Sequence, residues 1–165
     1  MIDIKKIDLI VFDFDGVLTD NKVLIDQNGN ENVICSRSDG LGFDVLKILG
    51  MSAYIISSEK NLVVSARAKK LNIPVLQEVI DKAHVIKNLS EEKKIKLSKI
   101  LFIGNDLNDY YAMKLCGYSA CPSDSHPKIK DIASFVLKTK GGNGVLRELL
   151  EEVFKLDILA ILYKQ

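Results

Sequence analysis

The chain has 165 residues, 23 Lys+Arg against 22 Asp+Glu, a net charge of +1 and 47% hydrophobic residues, enough for one sizeable core and too little for two. The balanced charge, with no basic stripe and no aromatic RNA-binding motif, excludes the electrostatic footprint of a nucleic-acid binder. Cys35, Cys116 and Cys121 are odd in number and irregularly spaced, which argues against a disulfide framework or a structural zinc site and for a reducing cytoplasm.

The opening Met1-Ile-Asp-Ile-Lys-Lys-Ile-Asp8 lacks the uncharged apolar core of a signal peptide. Leu9–Phe12 is a short apolar run of the kind found in buried strands, and it leads straight into Asp13-Phe14-Asp15-Gly16-Val17-Leu18-Thr19-Asp20. Lys22–Gln27 and Glu31–Cys35 flank Asn28-Gly29-Asn30, a turn signal that predicts a β-hairpin over 22–35 projecting from the sheet. A helix follows at Leu41–Leu49, with Leu41, Val45, Ile48 and Leu49 on one face, then a strand at Ala53–Ile56 and a helix at Asn61–Leu71. A short strand precedes the helix Lys82–Lys94; Ile100–Ile103 is a strand, Asp109–Cys116 a helix, Phe135–Leu137 a strand and Val145–Val153 a helix. This alternation predicts an α/β fold with a doubly wound, mostly parallel sheet. The expected organisation is a single domain over 1–155 with a tail over 156–165. The longest apolar run, Ile158–Tyr163, is far short of the roughly 20 residues that span a bilayer, so no membrane partner is expected.

Strand periodicity puts the Asp13 and Asp15 carboxylates on one side, at the strand end where open α/β sheets bind ligands. Two close carboxylates repel by roughly 4 kcal/mol at an effective dielectric of 20, so either one holds a proton or a cation sits between them. A hard, oxygen-liganded Mg²⁺ suits that position. Solvated acids in an Asp-Gly turn are the competing explanation. Gly104-Asn105-Asp106-Leu107-Asn108-Asp109 adds two more acids after another strand; acids there also cap helices, but capping needs only one. Ser57-Ser58, following the strand Ala53–Ile56, offers hydroxyls and backbone N–H groups to a phosphate at the start of the next helix, where one Ser could equally serve as the cap. Lys82 stands in the first turn of its helix, the end the macrodipole makes unfavourable for a cation, which asks for an anionic partner such as a phosphate or Asp109. His84 and His126 have no partner spacing for zinc or a catalytic triad.

In this order, Asp13-x-Asp15-Gly16-Val17-x-Thr19-Asp20, Ser57, Lys82 and Gly104-Asn-Asp106-x-x-Asp109 resemble the four motifs of the haloacid dehalogenase superfamily. Arg37-Ser38-Asp39-Gly40, the hairpin and Gly141-Gly142-Asn143-Gly144-Val145-Leu146-Arg147-Glu148 resemble its small capless branch. That branch holds the 3-deoxy-D-manno-octulosonate 8-phosphate and 2-keto-3-deoxynonulosonate 9-phosphate phosphatases and the phosphatase-like tail of animal sialic acid cytidylyltransferases. The resemblance implies a Rossmannoid sheet without a cap domain and a place in sialic acid or lipopolysaccharide biosynthesis. By the same resemblance Asp13 would be the nucleophile and Asp15 the general acid and base. Mg²⁺ would be held by Asp13, the Asp15 backbone carbonyl and Asp106, with Asp109 and Asn105 in support, while Ser57 and Lys82 would hold the phosphoryl oxygens.

Ser58-Glu59-Lys60 departs from the Gly-Arg usual in the octulosonate enzymes and resembles the nonulosonate phosphatases, which implies Glu59, Arg67 and Lys70 as substrate-binding residues and a lean to the nine-carbon acid. Arg67 and Lys70, at i and i+3, share a helix face. With no insertion long enough for a lid, a neighbouring subunit is the expected cover. The apolar tail, Leu156 to Leu162, points the same way, to a homo-oligomer that the resemblance makes a tetramer with a tail near the next active site. A non-catalytic oligomerisation module is the competing reading. A phosphorylation-switched receiver is a third, although its acceptor Asp should end a middle strand where this chain has Ser57-Ser58.

Overall fold

The computed structural model describes residues 2–163. Strand β1 (Leu9–Phe12) is buried along its whole length, as a central parallel strand must be. The chain then makes a small antiparallel ribbon, β2 (Leu24–Ile25) with β3 (Glu31–Asn32), in the register Leu24↔Asn32 and Ile25↔Glu31. Its loop is tied by the Asp26 carboxylate, which accepts from the backbone N–H groups of Asn28 and Asn30 at 2.8 and 2.9 Å. Helix α1 (Arg37–Ile48) follows, then β4 (Ser52–Ile56), α2 (Val63–Leu71), β5 (Val75–Leu76), α3 (Lys82–Lys93) and β6 (Ile100–Ile103). The second half adds α4 (Tyr110–Leu115), β7 (Tyr118–Cys121), α5 (Pro127–Ile132), β8 (Phe135–Val136) and α6 (Val145–Glu148). Helix α6 runs on into a π-helical turn, Leu149–Val153, and the last element is α7 (Ile158–Leu162).

Six strands form one sheet in the order β5-β4-β1-β6-β7-β8, every neighbouring pair parallel. Alternate residues of each strand feed opposite faces. Ile10, Phe12, Ile55, Leu101 and Ile103 pack with α1, α2, α6 and α7. Leu9, Val11, Ile56, Ile100 and Phe102 pack with α3, α4 and α5. The result is a three-layer, doubly wound α/β fold. The chain builds outward from β1 through β4 and β5, then returns to β6 on β1's other side, so the strand order reverses at β1. The carboxyl ends of strands flanking such a reversal form a crevice.

Strand β7 carries no apolar run in the sequence, yet Ser119, Ala120 and Cys121 are buried: their place beside β6, rather than side-chain propensity, makes them a strand. The serines after β4 do not open α2 as expected. A loop over 58–62 intervenes, Asn61 Oδ1 accepts from Val63 N at 3.1 Å, and Ser57 Oγ instead accepts from Glu59 N at 3.0 Å. Between β1 and α1 only the small ribbon is inserted, and between β4 and β5 only α2; no cap domain is present among the described residues.

The tail turns back on its own fold, α7 packing on α1. Ile158 is buried, and Leu156, Ile161 and Leu162 are partly buried against the same core. The apolar tail is therefore largely covered by its own subunit, leaving Leu159 exposed; its last two residues lie outside the described ones. No described helix is long and apolar enough to cross a membrane.

Candidate active site

The β1 ladder extends one residue past the strand, because Asp13 N donates to Ile103 O at 2.9 Å. The chain then turns sharply: Phe14 O accepts from the N–H groups of Val17, Leu18 and Thr19. This turn returns the Asp15 side chain toward Thr19, whose buried hydroxyl lies 3.4 Å from Asp15 Oδ1 and accepts from Gly16 N at 3.2 Å. Asp13 and Asp15 come to line one cavity of about 440 Å³, together with Ser57 and Glu59 from the end of β4 and Asn105, Asp106 and Asn108 from the end of β6. Asn21 also reaches it.

Lys82, at the first position of α3, is 1% exposed. Its Nζ donates to Asp13 Oδ1 at 2.6 Å and to Asp109 Oδ1 at 2.7 Å, bridging the acids of β1 and β6; Lys82 does not itself line the cavity and reaches it through Asp13. Burial alone would lower the Lys82 pKa, but the charges and hydrogen bonds of Asp13 and Asp109 outweigh it and hold the ammonium above its ordinary value. Burial, followed by the charge of Asp109, pushes the Asp13 carboxyl up to about 8, with Lys82 pulling the other way. Asp15 is also raised, first by burial and next by the negative charge of Glu59. Asp109 Oδ2 accepts from the N–H groups of Asn105 at 2.9 Å and Asp106 at 3.3 Å, which fixes the β6 turn.

The donor set suits a divalent cation. Two buried carboxyl groups, Asp13 and Asp109, share one ammonium, and burial with the Asp109 charge raises the Asp13 carboxyl, so ionising it calls for a further positive charge beside it. The Asp15 backbone carbonyl accepts no hydrogen bond among the described residues, and Asn105 Oδ1 is buried without a partner. Acidic side chains alone do not make the site: among the described residues no three His, Cys, Asp or Glu side chains are grouped to hold a metal. A cation here would be held by a mixed set of carboxylate and backbone carbonyl oxygens, completed by solvent, the kind of set Mg²⁺ favours.

Arg67 and Lys70 are not brought to this cavity. They line a separate depression with Cys35, Arg37, Asp44 and Lys47, and Arg67 donates to the backbone oxygen of Ser36 at 2.8 Å. His84 is exposed beside Asn88, and His126 caps α5 by accepting from Lys128 N at 3.2 Å.

Sequence reasoning misses two supports. Asp39 is 1% exposed and accepts from Leu146 N at 2.9 Å; Gly144 heads α6 without a side chain, so a carboxylate from α1 caps that helix instead. Gly141 and Gly142 lie flat on the turn after Asp15. A Cβ on Gly141 would meet Gly16 O at 2.2 Å and one on Gly142 would meet Asp20 N at 2.5 Å. The glycine run thus braces the turn from behind. Its repeated glycines are the signal that could have revealed it, since only backbone can approach backbone so closely.

Residues 40–149 match the family model of haloacid dehalogenase-like hydrolases. The chain belongs to the haloacid dehalogenase-like hydrolases. Within that family it resembles the 3-deoxy-D-manno-octulosonate 8-phosphate phosphatase KdsC of Escherichia coli strain K12, 30% identical over 148 residues, which cover 89% of this chain and 79% of that one. The same enzyme of Moraxella catarrhalis, solved in complex with magnesium ion, phosphate ion and KDO, superposes with a TM-score of 0.87 at 31% identity over 92% of this chain and 88% of its own. The cobalt-bound Haemophilus influenzae phosphatase gives 0.86 at 26% identity, over 92% of this chain and 90% of its own. The chain falls on this capless, KdsC-like branch of the haloacid dehalogenase-like hydrolases.

Proposed function

We propose that this chain is a Mg²⁺-dependent phosphatase of a phosphorylated 2-keto-3-deoxy sugar acid, working through an aspartyl-phosphate at Asp13. The observation that carries the reading is the convergence of Asp13, Asp15, Ser57 and the β6 turn on one cavity, with Lys82 buried between Asp13 and Asp109. A non-catalytic module has no use for two buried carboxylates held on one ammonium, an arrangement that costs stability unless it serves chemistry.

Asp13 and the Asp15 carbonyl, with an oxygen from the β6 turn where the motif resemblance names Asp106, would hold the cation. Bound there, it would neutralise phosphoryl charge. The chain's own residues do the rest. An Asp13 oxygen attacks phosphorus in line, forming a new P–O bond as the bond to the sugar oxygen breaks. Asp15, whose carboxyl holds its proton more tightly because of burial and the charge of Glu59, gives that proton to the departing oxygen. A water then attacks phosphorus, Asp15 takes the water's proton, and phosphate leaves with Asp13 restored. Ser57, fixed by Ser57 N donating to Leu76 O at 2.9 Å, offers its hydroxyl to a phosphoryl oxygen. Lys82 orients Asp13 and contributes positive charge beneath the phosphoryl group.

The relatives favour the eight-carbon substrate, 3-deoxy-D-manno-octulosonate 8-phosphate. Of the three residues on which a nine-carbon preference rests, only Glu59 lines the cavity; Arg67 and Lys70 lie in the other depression. Glu59 keeps 2-keto-3-deoxynonulosonate 9-phosphate as the second reading. Phosphate release from both compounds and from simple sugar phosphates, with Mg²⁺ and with EDTA, tests the proposal. A kcat/KM at least about tenfold higher for one sugar acid is expected; equal, feeble rates on all would defeat it.

A further inference from the structure

Most polar side chains around the mouth of the active-site cavity are already engaged. Asn108 Nδ2 donates to Ser58 Oγ at 3.4 Å, and Ser57 Oγ accepts from Glu59 N at 3.0 Å. Glu59 Oε1 accepts from the backbone N–H groups of Lys60 and Asn61 at 2.6 and 2.9 Å. Asn21 differs. It lines the cavity and is exposed, and its one hydrogen bond among the described residues comes from the backbone, Asn21 N donating to Thr19 Oγ1 at 3.2 Å. The side-chain amide, with two donor hydrogens and an acceptor oxygen, is left for a ligand.

The backbone at this position is left-handed, with φ at 62°, a conformation that glycine adopts freely and other residues adopt at a cost. The turn itself makes no use of the Asn21 side chain: Asp20 Oδ1 closes it by accepting from Lys22 N at 3.2 Å, and the Thr19 hydroxyl holds Asn21 N. A side chain kept where glycine would relax the chain, at the edge of an active-site cavity, points to use of that side chain. Its place is defined. A Cβ on Gly16 would lie 3.2 Å from Asn21 Cγ, so the amide rests against the residue that follows Asp15. The Thr19 hydroxyl that holds Asn21 N also lies 3.4 Å from Asp15 Oδ1. From floor to rim the cavity therefore presents buried Asp13, half-buried Asp15 and exposed Asn21.

A phosphate ester attacked by Asp13 and protonated by Asp15 has its phosphorylated carbon beside Asp15, and the sugar chain leaves past the rim. The first polar group on that path is the hydroxyl of the neighbouring carbon. We propose that Asn21 is a specificity-determining residue whose side-chain amide hydrogen-bonds the hydroxyl on the carbon next to the phosphorylated one. The inference rests on the sugar-acid phosphatase reading above. An amide suits the task, because it can donate to and accept from a hydroxyl without adding charge beside Asp15 and Glu59.

The test compares kcat/KM for 3-deoxy-D-manno-octulosonate 8-phosphate and for its 7-deoxy analogue, which lacks only that hydroxyl, in wild type and in Asn21→Gly. Glycine fits the left-handed backbone, so the variant deletes the amide without straining the turn. Wild type should prefer the hydroxylated compound by about three- to tenfold, the worth of one neutral hydrogen bond. In Asn21→Gly the two compounds should come within about twofold of each other, a loss of coupling that a general fall in activity cannot imitate. Absence of the preference in wild type, or its survival undiminished in Asn21→Gly, overturns the assignment, including the case in which the variant loses activity equally on both compounds and Asn21 serves only the shape of the Asp15 turn. Failure of the wild-type chain to release phosphate from either compound with Mg²⁺ present overturns the sugar-acid reading and this inference with it.

Discussion

Replacing Lys82 with Met tests how the site is held together. Methionine keeps much of the length and apolar volume of the lysine stem, so packing beside Asp13 and Asp109 changes little, but the ammonium and its 2.6 and 2.7 Å hydrogen bonds are lost. Both lysine and carboxylates are buried, and removing one partner of such a cluster strands the others, at a cost of about 3–5 kcal/mol. At about 2–4 °C per kcal/mol for a chain of this size, the melting temperature should fall by roughly 6–20 °C. Urea unfolding with EDTA present, so that metal binding does not mask the effect, measures the loss directly. Adding Asp109→Asn to Lys82→Met should recover part of it, because fewer buried charges remain unpaired, and the coupling between the two changes should exceed about 1 kcal/mol. A single-variant loss below about 1 kcal/mol, or strictly additive losses, would refute the claim that Lys82 neutralises two buried acids.

Asp39 gives a pH signature away from the reaction. Burial raises its carboxyl from 3.8 to about 6, so the folded chain holds this proton more tightly than the unfolded one and the contribution to stability is lost as pH rises from about 4 through 6. The full swing is about 3 kcal/mol, because each tenfold gain in proton affinity on folding is worth about 1.4 kcal/mol; urea titrations should show it in the wild type and show it flattened in Asp39→Asn. Gly141→Ala should cost more than about tenfold in kcat and about 1–3 kcal/mol in stability, since its Cβ has to displace Gly16 O from 2.2 Å; wild-type kinetics would contradict the bracing of the Asp15 turn. Glu59→Gln removes a charge that raises Asp15, so the alkaline limb of the kcat/KM profile should move to lower pH, and an unmoved limb would remove Asp15 as the proton donor.

The sheet is legible where apolar runs are continuous. Leu9–Phe12 and Ile100–Ile103 are strands with those bounds, because buried parallel strands admit little else. Tyr118–Cys121 is opaque, since its burial comes from a neighbour far away in sequence. The carboxylates after β1 and β6 stand out through charge at strand ends. What the spacing does not reveal is which member of Asn105-Asp106 faces inward: the motif resemblance names the acid, whereas the fold buries the amide and leaves the acid as a cap. Arg67 and Lys70 show the converse limit. Their shared helix face is readable, but the face of the fold on which α2 presents them depends on a loop, 58–62, that the pattern of residues mistakes for the start of the helix.

Trapping the phosphoryl group on Asp13 is the most direct test of the proposed chemistry. Acid-quenching the enzyme during turnover of a sugar-acid phosphate, reducing with borohydride and mapping peptides by mass spectrometry converts an aspartyl-phosphate into homoserine at the residue that bore it. Homoserine at position 13, formed only with Mg²⁺ present, is the expected result. Phosphate release with no homoserine, or with homoserine at Asp15 or Asp106 instead, would contradict it.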